Sequence, residues 1–272
     1  MTSNIAVVIS TYNNPNFLRL VLDGYRQQSD QHFKIYIADD GSTEETRELI
    51  AQYSKTFPVP IEHLWHEDQG FRKARIHNIA LQHISEPYTI LTDGDCIPLA
   101  NMIATHHRLA QPKTLISGSR ILLSPNWTKQ LCTAGKTPTN HVFSWFKHNA
   151  KGNINRVMPL LMPAHLSAAN QKLSGIHGCH LSCHTADLMH INGFDESFEG
   201  WGREDSDLVA RLFHSGIKRR NLRGTPVLHL WHQENTRQHL EENNQRLAAC
   251  LHQKTIQAAK GIQQLEAGNH HA

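Results

Sequence analysis

Two acidic clusters lie far apart in this chain of 272 residues, and both contain residue types that can do chemistry. The first, residues 92–96, reads T-D-G-D-C and directly follows the apolar run 88–91. Its two carboxylates stand at the end of a predicted strand, where they could hold a hard cation. The second, residues 200–208, places Glu204 and Asp205 at a predicted helix start, where one of them could act as a base. A metal site together with a base favours transfer of a group away from a phosphate leaving group.

Simpler interpretations of both clusters stay open at this level. Short acidic triplets are common on surfaces, and carboxylates suit a helix N-terminus through the macrodipole alone. The strand-like run before Asp93 and Asp95 strengthens the metal hypothesis, because a cation would neutralise carboxylates that a strand end partly buries. We expect Asp95 to be the metal ligand. The G-W-G sequence just before Glu204 and Asp205 is not explained by a helix start alone.

A third group, Arg72, Lys73 and Arg75, puts three cations within four positions at a predicted helix start. This arrangement runs against the macrodipole, which favours negative charge there. A bound phosphate would resolve the conflict, since helix N-termini and guanidinium groups both bind phosphate. Exposure of the three side chains to water is an equal alternative.

The elements that must position these groups alternate between strands and helices. Apolar runs predict strands at residues 5–9 and 88–92, alternating apolar residues predict one at 33–37, and residues 61–65 are a further strand candidate. Helix signals follow the first three strands: Asn14 before Pro15, a capping box of Ser42 and Glu45, and a periodic run over residues 74–83. Such alternation is typical of a parallel sheet with helices on both faces.

The polar residues of interest follow the ends of these strands. Thr11 and Tyr12 come after the first strand, Asp40 after the second, and Asp93 and Asp95 after the fourth. Because the carboxyl ends of parallel strands meet at one edge of the sheet, where ligands bind, we expect these side chains to converge.

The second half of the chain is less regular. Residues 124–175 are richer in Pro, Asn, Gly and Lys, and we expect an irregular insertion that shapes a pocket or a lid. An apolar run at 226–228 predicts the last strand, and His229 and His232 follow it. From residue 236 the chain is polar with intermittent apolar residues, which predicts one or two closing amphipathic helices.

The bulk composition fits an enzyme and excludes some other classes. The hydrophobic content is 39%, and no run of eighteen apolar residues occurs, so we expect no membrane span. Five cysteines at irregular spacings do not make a disulfide framework, and no leader-like segment precedes the first strand, so we expect a cytoplasmic protein. The net charge of +3 is mild, and we expect no nucleic-acid partner.

Together these motifs resemble those of the metal-dependent family 2 glycosyltransferases, which use nucleotide sugars. The resemblance rests on T-Y-N at residues 11–13, on the acidic pairs, and on the Q-G-x-x-x-A-x-x-x-N stretch at 69–78. The G-W-G-x-E-D sequence resembles the carboxy-terminal motif of galactosyltransferases. The resemblance implies an α/β fold of the glycosyltransferase-A kind, Rossmann-like, with a mainly parallel sheet and helices on both faces.

The same resemblance implies a domain division and roles for donor-site residues. Residues 1–235 would form the catalytic domain, with a nucleotide-sugar half (1–120) and an acceptor half (121–235), and residues 236–272 a helical extension. The residues implied at the donor are Thr11, Tyr12 and Asp40 for the nucleotide base, usually uracil, Arg72 or Arg75 for its phosphates, Asn78 for holding their loop, and Asp93 for the ribose or a metal-bound water.

For the acceptor side, the resemblance implies that Asp205 is the base and that Trp201 and Glu204 bind sugar. It also supplies a histidine as a further metal ligand, for which His232 fits better than His229. The implied reaction is inverting transfer of a hexose or N-acetylhexosamine from a UDP-sugar, with Mn²⁺ or Mg²⁺.

The implied acceptor is a hydroxyl of a bacterial surface glycan or glycolipid, such as lipopolysaccharide core or capsule, with peripheral contact with the inner face of the membrane as an open alternative. A metal-dependent nucleotidyl or phosphoryl transferase and a non-catalytic nucleotide-sugar-binding module are the rival hypotheses.

Overall fold

The computed structural model describes residues 5–138, 142–233 and 237–265. The strands are β1 (Ile5–Thr11), β2 (Phe33–Asp39), β3 (Ile61–Trp65), β4 (Tyr88–Asp93), β5 (Cys96–Ile97), β6 (Thr114–Ser117), β7 (Arg120–Leu122), β8 (His165–Leu166), β9 (His180–His184), β10 (Lys218–Arg223) and β11 (Val227–His229). The helices are α1 (Pro15–Arg26), α2 (Glu44–Ser54), α3 (Lys73–His83), α4 (Met102–Leu109), α5 (Pro125–Ala134), α6 (Val142–Ala150), α7 (Met158–Leu161), α8 (Thr185–His190), α9 (Glu204–His214), α10 (Leu240–Gln253) and a 3₁₀ turn at Ile262–Gln264.

Eight strands form one sheet in the order β3-β2-β1-β4-β9-β6-β10-β8. The first four strands are parallel, β9 runs antiparallel to both of its neighbours, and β10 is parallel to β6. A smaller sheet has the order β5-β11-β7. The predicted mainly parallel α/β sheet is thus confirmed.

The alternation of side chains along β1 explains why helices cover both faces of the sheet. Ile5, Val7 and Ile9 pack in one buried cluster with residues of α1, whereas Ala6 and Val8 pack in a second cluster with residues of α3 and α9. Both faces of the strand are therefore buried, as a continuous apolar run predicts. No helix in the described ranges is long and apolar enough to cross a membrane.

The local signals of the first half are mostly confirmed, with one correction. Asn14 caps α1 by accepting from the Phe17 backbone N–H, and Pro15 is its first residue. The predicted capping box of Ser42 and Glu45 is wrong, because α2 begins at Glu44 and its N-cap makes no side-chain hydrogen bond. Ser42 Oγ instead accepts from the backbone N–H of Asn13 at 2.8 Å, which ties two strand ends together.

The expectation of an irregular insertion at residues 124–175 is wrong for the part of this segment that is helical. Three helices, α5, α6 and α7, lie in this segment, and Trp127 and Trp145 bury their side chains in the main core. The weak periodicity had a physical cause: α6 and α7 are short, and Phe143 and Met158 are exposed apolar residues on them. Such residues blur the contrast between a buried and a solvated helix face.

The carboxy-terminal segment packs on the domain. Ile262 and Leu265 join the apolar cluster that contains α3, and α10 packs against α9. The predicted boundary between residues 235 and 236 lies outside the described residues, and the domain division stays a prediction.

Candidate active site

The end of β4 carries the first acidic group, Asp93. Its Oδ1 accepts from Ser10 Oγ at 2.8 Å and lies 2.8 Å from Lys73 Nζ. Burial alone would raise the pKa of Asp93, but the positive charge and hydrogen bond of Lys73 outweigh it and lower the pKa to about 2. Asp93 is therefore a fixed carboxylate at the carboxyl edge of the sheet.

Lys73, the first residue of α3, is the cation around which the acidic residues gather. Its side chain is 14% exposed. Burial alone would lower the pKa of this ammonium, but the charges of Asp93, Asp205 and Glu204 raise it well above its usual value. One lysine thus links the end of β4 with the start of α9, two segments that are far apart in sequence.

Glu204 and Asp205 begin α9, as predicted. Burial, and then the charge of Asp205, raise the pKa of Glu204 to about 7. Burial also raises the pKa of Asp205, and the charge of Asp93 adds to the rise. Asp205 is partly exposed and accepts a hydrogen bond from the backbone of Gly178. Any side chain at position 178 would overlap the Asp205 carboxylate, so this close approach requires glycine.

The second aspartate of the first cluster, Asp95, meets two histidines. Its Oδ2 lies 3.0 Å from His232 Nε2 and 3.7 Å from His229 Nε2. The small sheet brings them together, because His229 pairs with Cys96 across β5 and β11, and the backbone N–H of Leu230 donates to the backbone oxygen of Asp95 at 2.9 Å. We call Asp95, His229 and His232 the metal cluster.

The metal cluster fits a divalent cation. One ligand atom from each of its residues lies within 4.8 Å of the others. Burial lowers the pKa of His229, so this imidazole is neutral and its lone pair is available. The hydrogen bond to Asp95 raises the pKa of His232 to about 9, so a bound cation would have to replace that proton. Sequence reasoning favoured His232 alone, whereas the structure brings both histidines to Asp95.

At the other side of the same edge, Asp39 ends β2 and Asp40 follows it, and each of the two carboxylates pairs with a histidine. Asp40 Oδ1 lies 2.7 Å from His66 Nε2, and Asp40 Oδ2 accepts from the Arg72 backbone N–H at 2.9 Å. The backbone N–H of Asp40 donates to the Thr11 oxygen at 3.0 Å. Tyr12 is 51% exposed and donates its hydroxyl proton to Asp68 at 2.9 Å. The expected base-binding residues therefore share one edge of the sheet.

The basic residues at the start of α3 are held by protein groups. Arg72 Nη2 donates to the Glu67 backbone oxygen at 2.6 Å, and Arg75 Nη1 lies 3.1 Å from Glu196 Oε2. The carboxylates of Asp40 and Asp93 add further negative charge near the start of α3. The positive charge at this helix start is therefore compensated by protein groups, without a bound phosphate. The role of Arg72 or Arg75 at donor phosphates stays a prediction.

Asn78 is fully buried in the middle of α3. Its Nδ2 donates to the Phe194 oxygen at 2.9 Å, and its Oδ1 accepts from the Phe194 backbone N–H at 2.8 Å. These bonds fasten α3 to the segment before α9. The side chain faces no open surface, so its effect on a donor would be indirect, through the loop that it holds.

The G-W-G loop before α9 has a strained backbone and an exposed ring. Gly200, Gly202 and Arg203 all have positive φ, at 70°, 110° and 78°. Trp201 is 37% exposed, and Asn243 of α10 donates to the Gly202 oxygen at 2.9 Å. A non-glycine residue in this conformation is uncommon, and such strain is often kept at functional sites. The extension helix thus supports the loop that carries Trp201.

The structure gathers the predicted residues around one edge of the sheet and adds one that sequence reasoning missed. Lys73 was noted only as one of three cations. Its position in the sequence gives no reason to prefer it over Arg72 or Arg75, because its partner carboxylates, Asp93, Glu204 and Asp205, come near it only in the folded chain. His229 is the second histidine beside Asp95, where the sequence favours His232 as the metal ligand.

Two family models match the chain. The model described as glycosyl transferase family 2 matches residues 6–130, and the model described as the N-terminal domain of galactosyltransferase matches residues 164–233. The two matches cover both acidic clusters, so the resemblance noted in the sequence is confirmed.

Known proteins agree with this assignment at low identity. Validoxylamine A glucosyltransferase of Streptomyces hygroscopicus subsp. jinggangensis is 26% identical over 236 residues, 78% of this chain and 52% of the relative. The chain therefore spans about half the length of that relative.

Two solved structures share the glycosyltransferase-A fold that was expected. S. aureus TarS 1-349, solved with UDP-GlcNAc, has a TM-score of 0.61 at 14% identity and covers 90% of this chain and 66% of its own. The mannosyltransferase PcManGT of Pyrobaculum calidifontis, solved with GDP-Man and Mn²⁺, has a TM-score of 0.59 at 17% identity, covering 96% and 66%.

Proposed function

This chain belongs to the family 2 glycosyltransferases, and on that premise we propose that it moves a hexose or N-acetylhexosamine from a UDP-sugar to an acceptor hydroxyl with inversion. The acceptor in this proposal is a bacterial surface glycan, such as lipopolysaccharide core or capsule. The observation that carries the proposal is the position of Asp205. This carboxylate is partly exposed and packs on Gly178, and it shares Lys73 with the Asp93 strand end.

The metal cluster supports a divalent-cation requirement. A divalent cation held by Asp95, His229 and His232 would offset the negative charge of a diphosphate leaving group. Two imidazoles with one carboxylate suit a first-row transition ion better than Mg²⁺, which prefers oxygen ligands, so of the two ions first expected we propose Mn²⁺.

Asp205 is the proposed base. A carboxylate whose pKa is raised by burial is a stronger base than one in water. It would accept the proton of the acceptor hydroxyl while that oxygen attacks the sugar. The positive charge of Lys73 would offset the repulsion between the Asp93 and Asp205 carboxylates. Glu204 has a pKa of about 7 and a buried Oε2 without a partner, and it would bind sugar hydroxyls.

The remaining roles follow the edge of the sheet. Thr11, Tyr12 and Asp40 would receive the uracil base, and Asp93 the ribose or a metal-bound water. Binding of uracil N3–H by Asp40 would require an oxygen that now accepts from Arg72 or pairs with His66, so the nucleotide would displace or share one of these bonds.

Peripheral contact with an anionic bilayer is the membrane part of the proposal, and helix α6 supports it. Phe143 is 88% exposed, Phe146 is 49% exposed, and Lys147 follows them. Exposed aromatic rings beside cations are the pattern of interfacial helices. Sedimentation with phosphatidylglycerol vesicles should carry the protein down, and Phe143→Ser should reduce this. Equal sedimentation of both would remove α6 from the contact.

The two rival functions make different predictions. A nucleotidyl or phosphoryl transferase would turn over a nucleoside triphosphate without any sugar. This function does not explain the loop that carries Trp201. A non-catalytic module would bind UDP-sugar and never release UDP from it, and it leaves the raised pKa of Asp205 without a use.

Replacing Asp205 with Asn tests the proposal. The substitution keeps the shape and removes the basicity, so transfer should fall by on the order of 10²–10⁴-fold, while the affinity for UDP stays nearly unchanged. Glu204→Gln is the control on the neighbouring carboxylate and should have the smaller effect. Both quantities are measured on the same preparation, as product formation and as UDP titration with Mn²⁺. If Asp205 only caps α9, Asn will substitute well, and wild-type turnover would move the base to Glu204.

A further inference from the structure

One stretch of the sequence carries no carboxylate side chain at all. Between Asp95 and Asp187 there is no Asp or Glu, whereas the same stretch holds nine Lys and Arg residues. All 24 acidic residues of the chain lie outside residues 96–186, although the net charge of the whole chain is only +3. We call residues 96–186 the acid-free segment. A charge distribution this one-sided is an argument for an anionic partner.

Two cations of the acid-free segment, Arg120 and Arg156, lie beside the candidate active site. β7 begins at Arg120 and runs along β11, where Leu122 pairs with His229 of the metal cluster. Arg156 Nη2 donates to the Arg120 backbone oxygen at 2.6 Å, and the Asn155 backbone N–H donates to the Leu122 oxygen at 3.1 Å. These bonds hold the Arg156 side chain against the Arg120 backbone at the edge of the small sheet.

His177 connects this pair with the proposed base. It is partly buried, and burial together with the charges of Arg120 and Arg156 lowers its pKa to about 4. His177 directly precedes Gly178, on which the Asp205 carboxylate packs. Arg120 pairs across β7 and β11 with Val227, two residues before His229 of the metal cluster. Arg120 is thus near both the metal cluster and the residue next to the base contact.

Within residues 5–138, 142–233 and 237–265, no carboxylate pairs with Arg120 or Arg156. His177, with its lowered pKa, is neutral and would act as a hydrogen-bonding group beside them. The contrast with Lys73, which faces three carboxylates, is direct. Guanidinium groups without a carboxylate partner are suited to bind an oxyanion, since they donate paired hydrogen bonds to carboxylate or phosphate.

We propose that Arg120, Arg156 and His177 form a subsite for an anionic group on the acceptor, either a carboxylate or a phosphate, beside the hydroxyl that Asp205 activates. The proposal rests on the transfer reaction above and specifies its acceptor: an acidic glycan rather than a neutral one. An acceptor group is favoured because His177, which the charges of Arg120 and Arg156 reach, directly precedes Gly178, on which the Asp205 carboxylate packs.

The test uses the full-length protein saturated with UDP and Mn²⁺, so that the donor site is filled. Three probes are compared by titration: a disaccharide ending in glucuronate, its neutral methyl ester, and the same disaccharide ending in a 6-phosphate. The variants are Arg120→Gln, Arg156→Gln and Arg120→Lys. Lys129→Gln is the matched control, because Lys129 is an exposed cation of the same acid-free segment on α5.

The wild type should bind at least one acidic probe on the order of tenfold more tightly than the ester. Arg120→Gln and Arg156→Gln should abolish that preference, Arg120→Lys should keep part of it, and Lys129→Gln should leave it intact. The stronger of the two acidic probes identifies carboxylate or phosphate as the preferred group.

Four outcomes overturn the proposal. Equal binding of acidic and neutral probes by the wild type removes the subsite. An equal loss in Lys129→Gln shows diffuse attraction by the acid-free segment. A matching loss of UDP affinity in Arg120→Gln assigns the arginines to the donor. Binding of phosphatidylglycerol vesicles that depends on the arginines, without any preference among the disaccharides, assigns them to a membrane.

Failure of the transfer reaction would be seen separately. The wild type would then lack metal-dependent UDP binding, which is measured before any acceptor probe is added.

Discussion

Two regions of the molecule handle charge in opposite ways. At the carboxyl ends of β2 and β4, carboxylates have internal partners, as in Asp40 with His66 at 2.7 Å and Asp93 with Lys73 at 2.8 Å. In the acid-free segment, all carboxylates are missing, and Arg120 has no acidic partner in the described part of the chain.

This difference predicts whether a substitution should affect stability or ligand binding. A network that neutralises itself contributes to folding, because breaking one partner leaves an uncompensated buried charge. Cations that are exposed and unpaired contribute little to folding and are available for a ligand. Substitutions in the first region should therefore lower stability, and substitutions in the second should lower binding.

The largest effect is expected for Lys73→Met. The change removes the cation shared by Asp93, Asp205 and Glu204, and it should lower the free energy of unfolding by about 3 kcal/mol. Protonation of Glu204 would limit the loss. Urea denaturation measures the effect, and Lys129→Met in the acid-free segment is the control, with an expected change within about 0.5 kcal/mol. Equal stability of both variants would break the comparison between the two regions.

The next effect concerns the metal cluster. Asp95→Ala should weaken Mn²⁺-dependent binding of UDP by on the order of 10–100-fold, because the diphosphate would meet a site that has lost its cation. His229→Ala and His232→Ala should each weaken it as well, which decides whether both histidines bind the metal. Titration of UDP with Mn²⁺ and with a chelator gives the comparison. The same affinity for UDP in both solutions would show that UDP binding does not depend on a metal ion.

Acid should destabilise the protein through its buried histidines. His106 Nε2 lies 3.0 Å from His180 Nε2, and burial lowers the pKa of His180 to about 4 and that of His106 well below its usual value. His77 is also lowered to about 4, by burial and by Lys73. Because the unfolded chain titrates near 6.5, it binds more protons below that pH than the folded chain does.

Stability should therefore be fully present above pH 6.5 and fall as the pH drops towards 4. The expected loss at pH 5 is about 1–2 kcal/mol for each buried histidine. Melting temperatures at pH 7.5 and pH 5 measure it, and His106→Gln should flatten the dependence. A melting temperature that is the same at both values would contradict burial of neutral histidines.

The smallest effect is expected at Arg72 and Arg75. If either contacts donor phosphate, replacement by Gln should weaken UDP binding by up to about fivefold and leave uridine binding unchanged. Arg75 pairs with Glu196, so its substitution should also lower the melting temperature slightly. A matched loss for UDP and uridine would indicate a base contact or a structural role instead of a phosphate contact.

The sequence predicted the first four strands well for a physical reason. Ile5–Thr11 and Tyr88–Asp93 are buried on both faces, and such strands appear as uninterrupted apolar runs. The acidic motifs were predictable because they follow these runs directly. The capping box failed because Ser42 has a better partner across the strand ends, in Asn13, than within its own helix.

Other features depend on contacts between distant segments, which local patterns do not report. Lys73 acquires its role from Asp93 and Asp205, and His229 from Asp95 across β5 and β11. The helices of residues 124–175 were hidden because short helices with exposed apolar residues lack a clear period. The acid-free segment was visible in the sequence, but its meaning depends on Arg120 lying beside the active site.

The central claim is that a sugar leaves UDP and joins an acceptor hydroxyl. The most direct measurement incubates the wild-type protein with a panel of UDP-sugars, Mn²⁺ and acidic and neutral glycan acceptors, followed by mass spectrometry and NMR of the product. The account predicts an acceptor heavier by one hexosyl or N-acetylhexosaminyl unit, an anomeric configuration opposite to that of the donor, and no product with chelator or with Asp205→Asn. Tight binding of UDP-sugar without any transferred sugar, or turnover of a nucleoside triphosphate in its place, would contradict it.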